Sequence, residues 1–522
     1  MAMDKLSANA ILNRLAFGPD QSSLESISQK GYPAWLEEQL HPDHSKDALC
    51  NQRIVDFTLP MKYAESKDGY WPAVDEARPF QWLNASSTDL MTLIEPGKHI
   101  PGQEQVRPRQ EVMCATLIRS VYSHWQLQEV LADFWHNHFS VNAWEGMASL
   151  MLPIYDREVI RPHIFGNFRQ LLEAVAKSAA MQSYLNNRSS RAGAPNENYA
   201  RELFELHTLG SPAYLNTLYN RWRDVPGATK GKPDGYIDQD VYEAARAFTG
   251  WTIADGTGLG GGINLPRTGE FAYVDAWHDQ YQKRILAMEL DPYQRPMSDG
   301  LMVLDLTAYH PATAQFICHK LCTRLLSDNP PEKLVKSSTS IWIANQHHPR
   351  QISKVIEHIA LSLQFAQSES TKVKRPMEVM ASFIRATGQD FKPTIGLINH
   401  LNACGQPLFG WTTPNGLPDV NERWLGANAL WQRWNLLAGL TDNWWQCGNL
   451  DAFELIGVKN IPVEQFTDLC LKRMSGQNID PINLINQLVK ASGIKPGAPL
   501  TNPAIAKRIL AWIAMLPEFQ LR

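Results

Sequence analysis

Apolar residues that return every three or four positions constrain this chain more than any other feature. Leu127, Val130, Leu131, Phe134 and Trp135 fall at i, i+3, i+4, i+7 and i+8, and Phe168, Leu171, Leu172, Val175 and Ala176 repeat the pattern. At helical pitch each set forms one stripe of an amphipathic helix, and the stripe must be buried against another element. The same period runs through 111–122, 240–249, 311–326, 352–365, 462–474 and 503–515. Strand-like alternation is rare and short, with 340–344 the nearest case. The pattern predicts a mainly α protein: a large multi-helix globular body with long loops bearing Gly, Pro and Trp, and few short strands.

Three irregular stretches interrupt the helical pattern: 60–110, the glycine-bearing 211–300, and GQPLFGWTTPNGLPDV at 405–420. They mark out a single helical unit over 1–522, with an N-terminal lobe 1–210, a loop-rich insertion 211–300 and a C-terminal lobe 301–522. No period of 20 to 50 residues recurs, which argues against a solenoid. Loops this long in a compact protein are more often functional than idle.

Charge removes one class of partner. Lys and Arg total 49 against 53 Asp and Glu, a net charge of −4, so nothing matches a nucleic-acid phosphate backbone. The one compact basic stretch, 230–232, lies in a Pro/Gly-rich segment and reads as a solvated loop. Seven scattered cysteines make no disulfide framework, and buried free thiols are expected. Cys318 and Cys322 share a helix face but lack the second pair of ligands that zinc requires. The longest apolar run, 509–516, is eight residues, far short of a membrane span. The opening MAMDKLSANAILNRLAFG has no signal-peptide core, so the chain as written reads as cytoplasmic. An exported or periplasmic location stays open if a leader has been removed.

Familiar motifs fail on context. Gly256, Gly258 and Gly261 have the letters of a dinucleotide fingerprint, but Asn264-Leu265-Pro266 comes next where a helix should start, so a loop is expected. The 227–232 segment has Pro233 where a phosphate loop needs Ser or Thr. Neither G-x-S-x-G nor H-E-x-x-H occurs.

Two segments carry candidate chemistry. In 129–139, Glu129, Asp133 and His136 lie on the face opposite the apolar stripe if the helix runs on, and His138 falls within the stripe beside Leu131 and Phe134. The two imidazoles then diverge. If the helix stops near Trp135, the His136-Asn137-His138 turn brings them together as a pair suited to metal. In 196–210, NENYARELFELHTLG, Asn196 suits an N-cap and Gly210 a left-handed helix end. Tyr199, Leu203 and Leu206 form the expected buried stripe, with Asn198, Glu202 and Glu205 along one border and His207 on the other. Glu202 should be half buried, and burial raises a carboxyl pKa toward the state a general acid or base requires.

His278-Asp279 is a third candidate, and Trp71, Trp251, Trp277 and Trp411 place flat aromatic faces in loops, suited to stacking on sugar rings or on another protein.

Several of these blocks belong to one recognisable set: RLAFGP with GYPAWLEEQL, DFWHNHF, IRPHIFGNFRQLLEAVAKSAAMQSYLNN, APNENYARELFELHTLG, ARAFTGW, HPATAQFICHKLC and GQPLFGWTTPNG. Their order and spread over nearly the whole chain resemble the bacterial domain-of-unknown-function family numbered eighteen hundred. The resemblance implies one largely helical unit over residues 8–520 and transfers no role to any residue. Members of that family often carry an export signal, from which this chain departs.

The expectation from residues alone is therefore a hydrolytic or metal-assisted enzyme acting on a polar, glycan-like or polymeric substrate. Glu202 and His138 would be catalytic. His136, His138, Glu202 and His207 would hold a divalent or transition metal. Asn198, Glu205, Trp251, His278, Asp279 and Trp411 would contact substrate or support the site, with the 251–280 and 405–420 loops as a roof. The alternative is a non-catalytic binding or assembly protein that grips its partner through the tryptophan loops.

Overall fold

The computed structural model describes residues 6–368, 371–474 and 481–522; residues 1–5 of the opening segment fall outside them. Among the described residues the chain forms 26 α-helices and eight short strands, and the strands make four separate antiparallel pairs. No sheet is large enough to organise the protein, so helix packing does. No described helix is long and apolar enough to cross a membrane.

The apolar stripes become the core. Leu127, Val130, Leu131, Phe134 and Trp135 are all buried, as are Phe168, Leu171, Leu172, Val175 and Ala176. One continuous apolar cluster runs from Ile11 to Phe519. Trp135 is fully enclosed, with its indole N–H donated to the Ile164 carbonyl at 3.2 Å. Truncating a buried side chain of this size to Ala costs about 3–5 kcal/mol. At the centre lies the 21-residue helix Gly102–Tyr122, which packs against Ala48–Val55, Gln126–His138, Gly146–Leu150 and Pro376–Thr387.

The periodic stretches appear as Asp238–Ala247, Pro311–Leu325, Val463–Met474 and Pro503–Met515, and 352–365 divides into Gln351–Ala360 and Leu363–Gln367. Ser362 makes that division, because its side chain accepts the Phe365 N–H and caps the second helix. The 340–344 alternation is instead the end of the helix Glu332–Ala344. Trp342 is buried there while its neighbour Ile343 stays exposed, so the apparent alternation is one edge of a helical stripe.

The irregular stretches contain the strands. Thr58–Tyr63 pairs with Val74–Pro79, and Leu59 and Met61 point inward at the period-two spacing of a half-buried strand. The glycine-rich segment is not a free loop but a hairpin: Trp251–Asp255 pairs with Arg267–Tyr273, with Gly258–Gly260 and Ile263–Asn264 paired toward its tip. All seven cysteines are free and buried, and Lys230 and Lys232 are exposed.

Candidate functional site

The helix Gln126–His138 runs past Trp135 and includes both histidines, with Phe139 as its C-cap. Of the two arrangements open from sequence, the imidazoles therefore take the divergent one. Glu129, Asp133 and His136 leave the face opposite the core stripe, yet they do not meet bulk solvent. They line a cavity of about 70 Å³ together with Ser140, Asp156, Arg161 and Arg375.

Asp156 and Arg161 arrive through unusual backbone. The segment Tyr155–Ile160 is a π-helix, leading directly into a short 3-10 turn, Arg161–His163. Five residues of α-helix would turn two side chains about 140° apart. The wider π-turn instead lets Asp156 and Arg161 meet, with Arg161 Nε donating to Asp156 Oδ2 at 2.8 Å. Such turns are frequent at functional sites.

A linear chain of charge-assisted bonds results. Arg161 clasps Glu129 with both terminal nitrogens, at 2.9 and 3.0 Å, and His136 Nε2 donates to Asp156 Oδ1 at 2.9 Å. Burial alone would raise the Asp156 carboxyl, but Arg161, His136 and Arg119 together hold it far below the usual carboxylate range. An ionised Asp156 fixes His136 in the tautomer with its proton on Nε2. Nδ1 is then an acceptor, and among the described residues nothing donates to it. The ring is held edge-on between Tyr155 and Phe409, with centroids at 5.7 and 4.8 Å.

Opposite this chain stands a second ionic group. Asp133 pairs with Arg375 and, at 3.5 Å, with Arg324; Glu378 accepts from Arg324 at 2.7 Å and pairs with Arg375 at 3.2 Å. Three more basic side chains, Arg522, Lys372 and Lys374, come close by, and burial draws the Lys374 amine down to about 7.

The roof is the 405–420 loop, which contributes Gln406, Leu408, Phe409, Trp411 and Leu417. It is fastened rather than draped. Asn137 donates to the Leu417 carbonyl at 2.8 Å and accepts the Leu417 N–H at 2.7 Å, while the Trp144 indole N–H meets the Leu408 carbonyl at 2.9 Å. Gly416 takes a left-handed φ of +73° there, and any Cβ would collide with the Asn137 carbonyl. Phe409 also takes a positive φ, +53°, which is uncommon for a bulky residue and aims its ring at His136.

The other predicted residues lie elsewhere. His138 is buried on the core side, donating from Nε2 to the His207 carbonyl at 3.1 Å and accepting from Lys320 Nζ at Nδ1, 2.9 Å away. His207 is fully buried with neither ring nitrogen hydrogen-bonded. Burial and the nearby Lys320 push its pKa down to about 3. The two rings sit 6.3 Å apart, centroid to centroid.

Glu202 is half buried, and burial plus Glu205 raise its pKa in the predicted direction. It joins neither histidine. Among the described residues no group of three or more His, Cys, Asp or Glu side chains could hold a metal ion. The four-ligand set His136, His138, Glu202 and His207 is thereby corrected: His136 lines one cavity, His138 lines another and bonds the His207 carbonyl, the His207 ring is buried in the core, and Glu202 bonds none of them.

The 196–210 stripe is also corrected. Leu206 is only partly buried, whereas Phe204 and His207 are fully so, because the helix Glu197–Glu202 widens into a second π-helix, Leu203–His207, and the side chains of that wider turn are rotated. Asn196 caps the helix through the Asn198 N–H as predicted, and the Asn198 amide donates to Leu185 at 3.3 Å.

Trp251, expected in the roof, is a fully buried core plug between Phe248 and Phe271. His278 bonds Thr249 and Asp299, and Asp279 is clasped by Arg246 at 2.8 and 3.0 Å, so that pair holds the chain around the hairpin together. Of the expected contact residues, Trp411 does line the cavity.

Sequence reading passed over Asp156, Arg161 and Arg375. Glu129, Asp133 and His136 were visible as a polar helix face, and their signal was the density of ionisable groups there. Asp156 and Arg161 had no helical signal, since their five-residue spacing only makes sense on a π-turn.

The sequence matches the family described as protein of unknown function (DUF1800) over residues 10–521, and the chain belongs to that family. No curated protein and no solved structure matches it.

Proposed function

We propose that this DUF1800 member is a hydrolytic enzyme whose general base is His136, positioned by Asp156. The observation that carries the reading is the 2.9 Å bond between His136 Nε2 and Asp156 on the wall of the cavity, with no donor to Nδ1 among the described residues. In the proposed step Nδ1 takes a proton from a water as its oxygen attacks the substrate. Asp156 stabilises the imidazolium that forms, and the same proton passes to the leaving group. Arg375 engages Asp133 and Glu378 through two of its nitrogens, and its third is available to developing negative charge. Trp411, Phe409 and Leu408 offer a flat apolar wall above this polar floor, which suits a glycan-like substrate.

The test is a panel of chromogenic glycosides and carboxylic, phosphate and sulfate esters, run with the wild type and with His136→Gln. General-base catalysis predicts a loss of about 10²–10⁴-fold in turnover for the variant, with its fold intact. Equal turnover by the two proteins would refute the role of His136. A glycan that binds without being cleaved by the wild type would favour the other reading, a non-catalytic binding protein gripping its ligand with the Trp411 loop.

A further inference from the structure

A second cavity lies behind the first and shares two of its walls, Asn137 and Arg375. Its volume is about 250 Å³, and it is also lined by His138, His319, Lys320, Thr323, Arg324, Asp328 and Asp419. Lys320, Thr323 and Arg324 stand at i, i+3 and i+4 on the helix Pro311–Leu325, so one helix face presents an ammonium, a hydroxyl and a guanidinium side by side.

The donors on that face are not used up. Lys320 Nζ donates to the neutral His138 Nδ1 and is attracted by Asp419 without forming a direct ion pair among the described residues. Arg324 is 1% exposed and commits its two terminal nitrogens to Glu378 and Asp133, yet its Nε–H has no partner; Thr323 Oγ1 is likewise buried and unpartnered. Arg375 adds its third nitrogen from the shared wall. Both carboxylates of the lining pair directly with Lys372, and Asp419 also attracts Lys320, Arg324 and Arg375 at longer range. Lys372 pairs with Asp328 at 2.8 Å and Asp419 at 3.1 Å, and Asp328 also accepts the Asn421 N–H. Buried donors without acceptors are costly, and several of them on one helix face beside a cavity suit an acceptor-rich group.

We infer that this second cavity binds a phosphate- or sulfate-type oxyanion, held by Lys320, Thr323 and Arg324 with Arg375 at the shared wall. Donors arriving from a lysine, a hydroxyl and two arginines match a group with three or more acceptor oxygens better than a two-oxygen carboxylate. Because Arg375 and Asn137 border both cavities, the oxyanion is a substituent of the substrate whose scissile bond faces His136. That last assignment rests on the proposed hydrolytic reading; the anion site itself does not.

Calorimetric titration of the full chain with inorganic phosphate and with sulfate separates the two. The expected result is saturable binding at one site, weakened at least tenfold in Lys320→Met and retained in His136→Gln. Thr323→Val, which removes one donor and keeps the shape, should weaken it several-fold and serves if Lys320→Met does not fold. Absence of saturable binding by the wild type, or unchanged affinity in a folded Lys320 variant, overturns the anion site whatever the enzyme does. Affinity lost in His136→Gln but kept in Lys320→Met places the anion in the first cavity and also overturns it. Binding as expected without inhibition of hydrolysis would detach the anion from the substrate, and would overturn only that assignment.

Discussion

Two histidines of this protein bond a buried aspartate, and only one of them has anything left to offer. His136 meets Asp156 at 2.9 Å and His278 meets Asp299 at 3.3 Å, each pair reinforced by a cation, Arg161 in the first case and Lys283 in the second. The difference is at the far nitrogen. His278 Nδ1 is taken by the Thr249 carbonyl at 2.9 Å, whereas His136 lines a cavity and its Nδ1 has no partner among the described residues. A histidine with both nitrogens satisfied is a cross-link between segments; one oriented at a single end is prepared to move a proton.

The largest effect expected from that contrast is on turnover. His136→Gln should lower hydrolysis by about 10²–10⁴-fold with little change in unfolding free energy. His278→Gln should do the reverse, costing about 1–3 kcal/mol of stability as Asp299 loses a partner, with kcat preserved. Steady-state kinetics beside denaturant unfolding would read both, and a matched response in the two variants would erase the distinction.

Next in size is the support behind His136. Arg161→Met leaves Glu129 buried without its ion-pair partner and Asp156 with only His136 and Arg119, and should destabilise the protein by about 3–5 kcal/mol in urea unfolding. A cost below about 1 kcal/mol would mean that the chain of bonds is not what fixes the imidazole.

A smaller effect distinguishes His207 from both. Its folded-state pKa is near 3, while an unfolded histidine titrates near 6.5. Between those values the unfolded chain binds a proton that folded His207 refuses. Its contribution is therefore fully present above pH 6.5 and declines as pH falls toward 3, at about 1.4 kcal/mol per pH unit. Unfolding measured across pH 6.5 to 4 should show a slope shallower by that amount in His207→Phe. The smallest change belongs to the exposed pair of Glu197 and Arg201, 3.5 Å apart, where Glu197→Gln should shift stability by less than about 0.5 kcal/mol.

The helices were legible because burying a stripe imposes a period on the residues that form it, and Leu127 through Trp135 or Phe168 through Ala176 obey it. The Asn196 cap was legible for the same local reason, whereas the helix ends at His207 with Thr208 as its C-cap and Gly210 instead leads into the short turn Ser211–Ala213. What composition and period could not convey was partnership across distance: Arg375 reaches Asp133 over 242 positions, and Asn137 reaches Leu417 over 280. The carboxylate that orients His136 was hidden differently. Asp156 sits on a π-turn, and a reading at 3.6 residues per turn assigns it the wrong direction, as it did Leu206 and His207. The pairing of His278 with Asp299 rather than its neighbour Asp279 is a third case, decided by how the chain around the hairpin closes.

Each π-turn accommodates one residue more than an α-turn would, and that surplus has a consequence for sequence length. Deleting a single position between Leu203 and His207 would let the wide turn relax to an ordinary one while His207 keeps its direction, because it would then fall seven places after Tyr199, on the stripe that an α-helix buries. The imidazole would stay sealed in the interior. A one-residue gap, normally ruinous inside a helix, would be absorbed at the wide turn and leave the surrounding architecture in place.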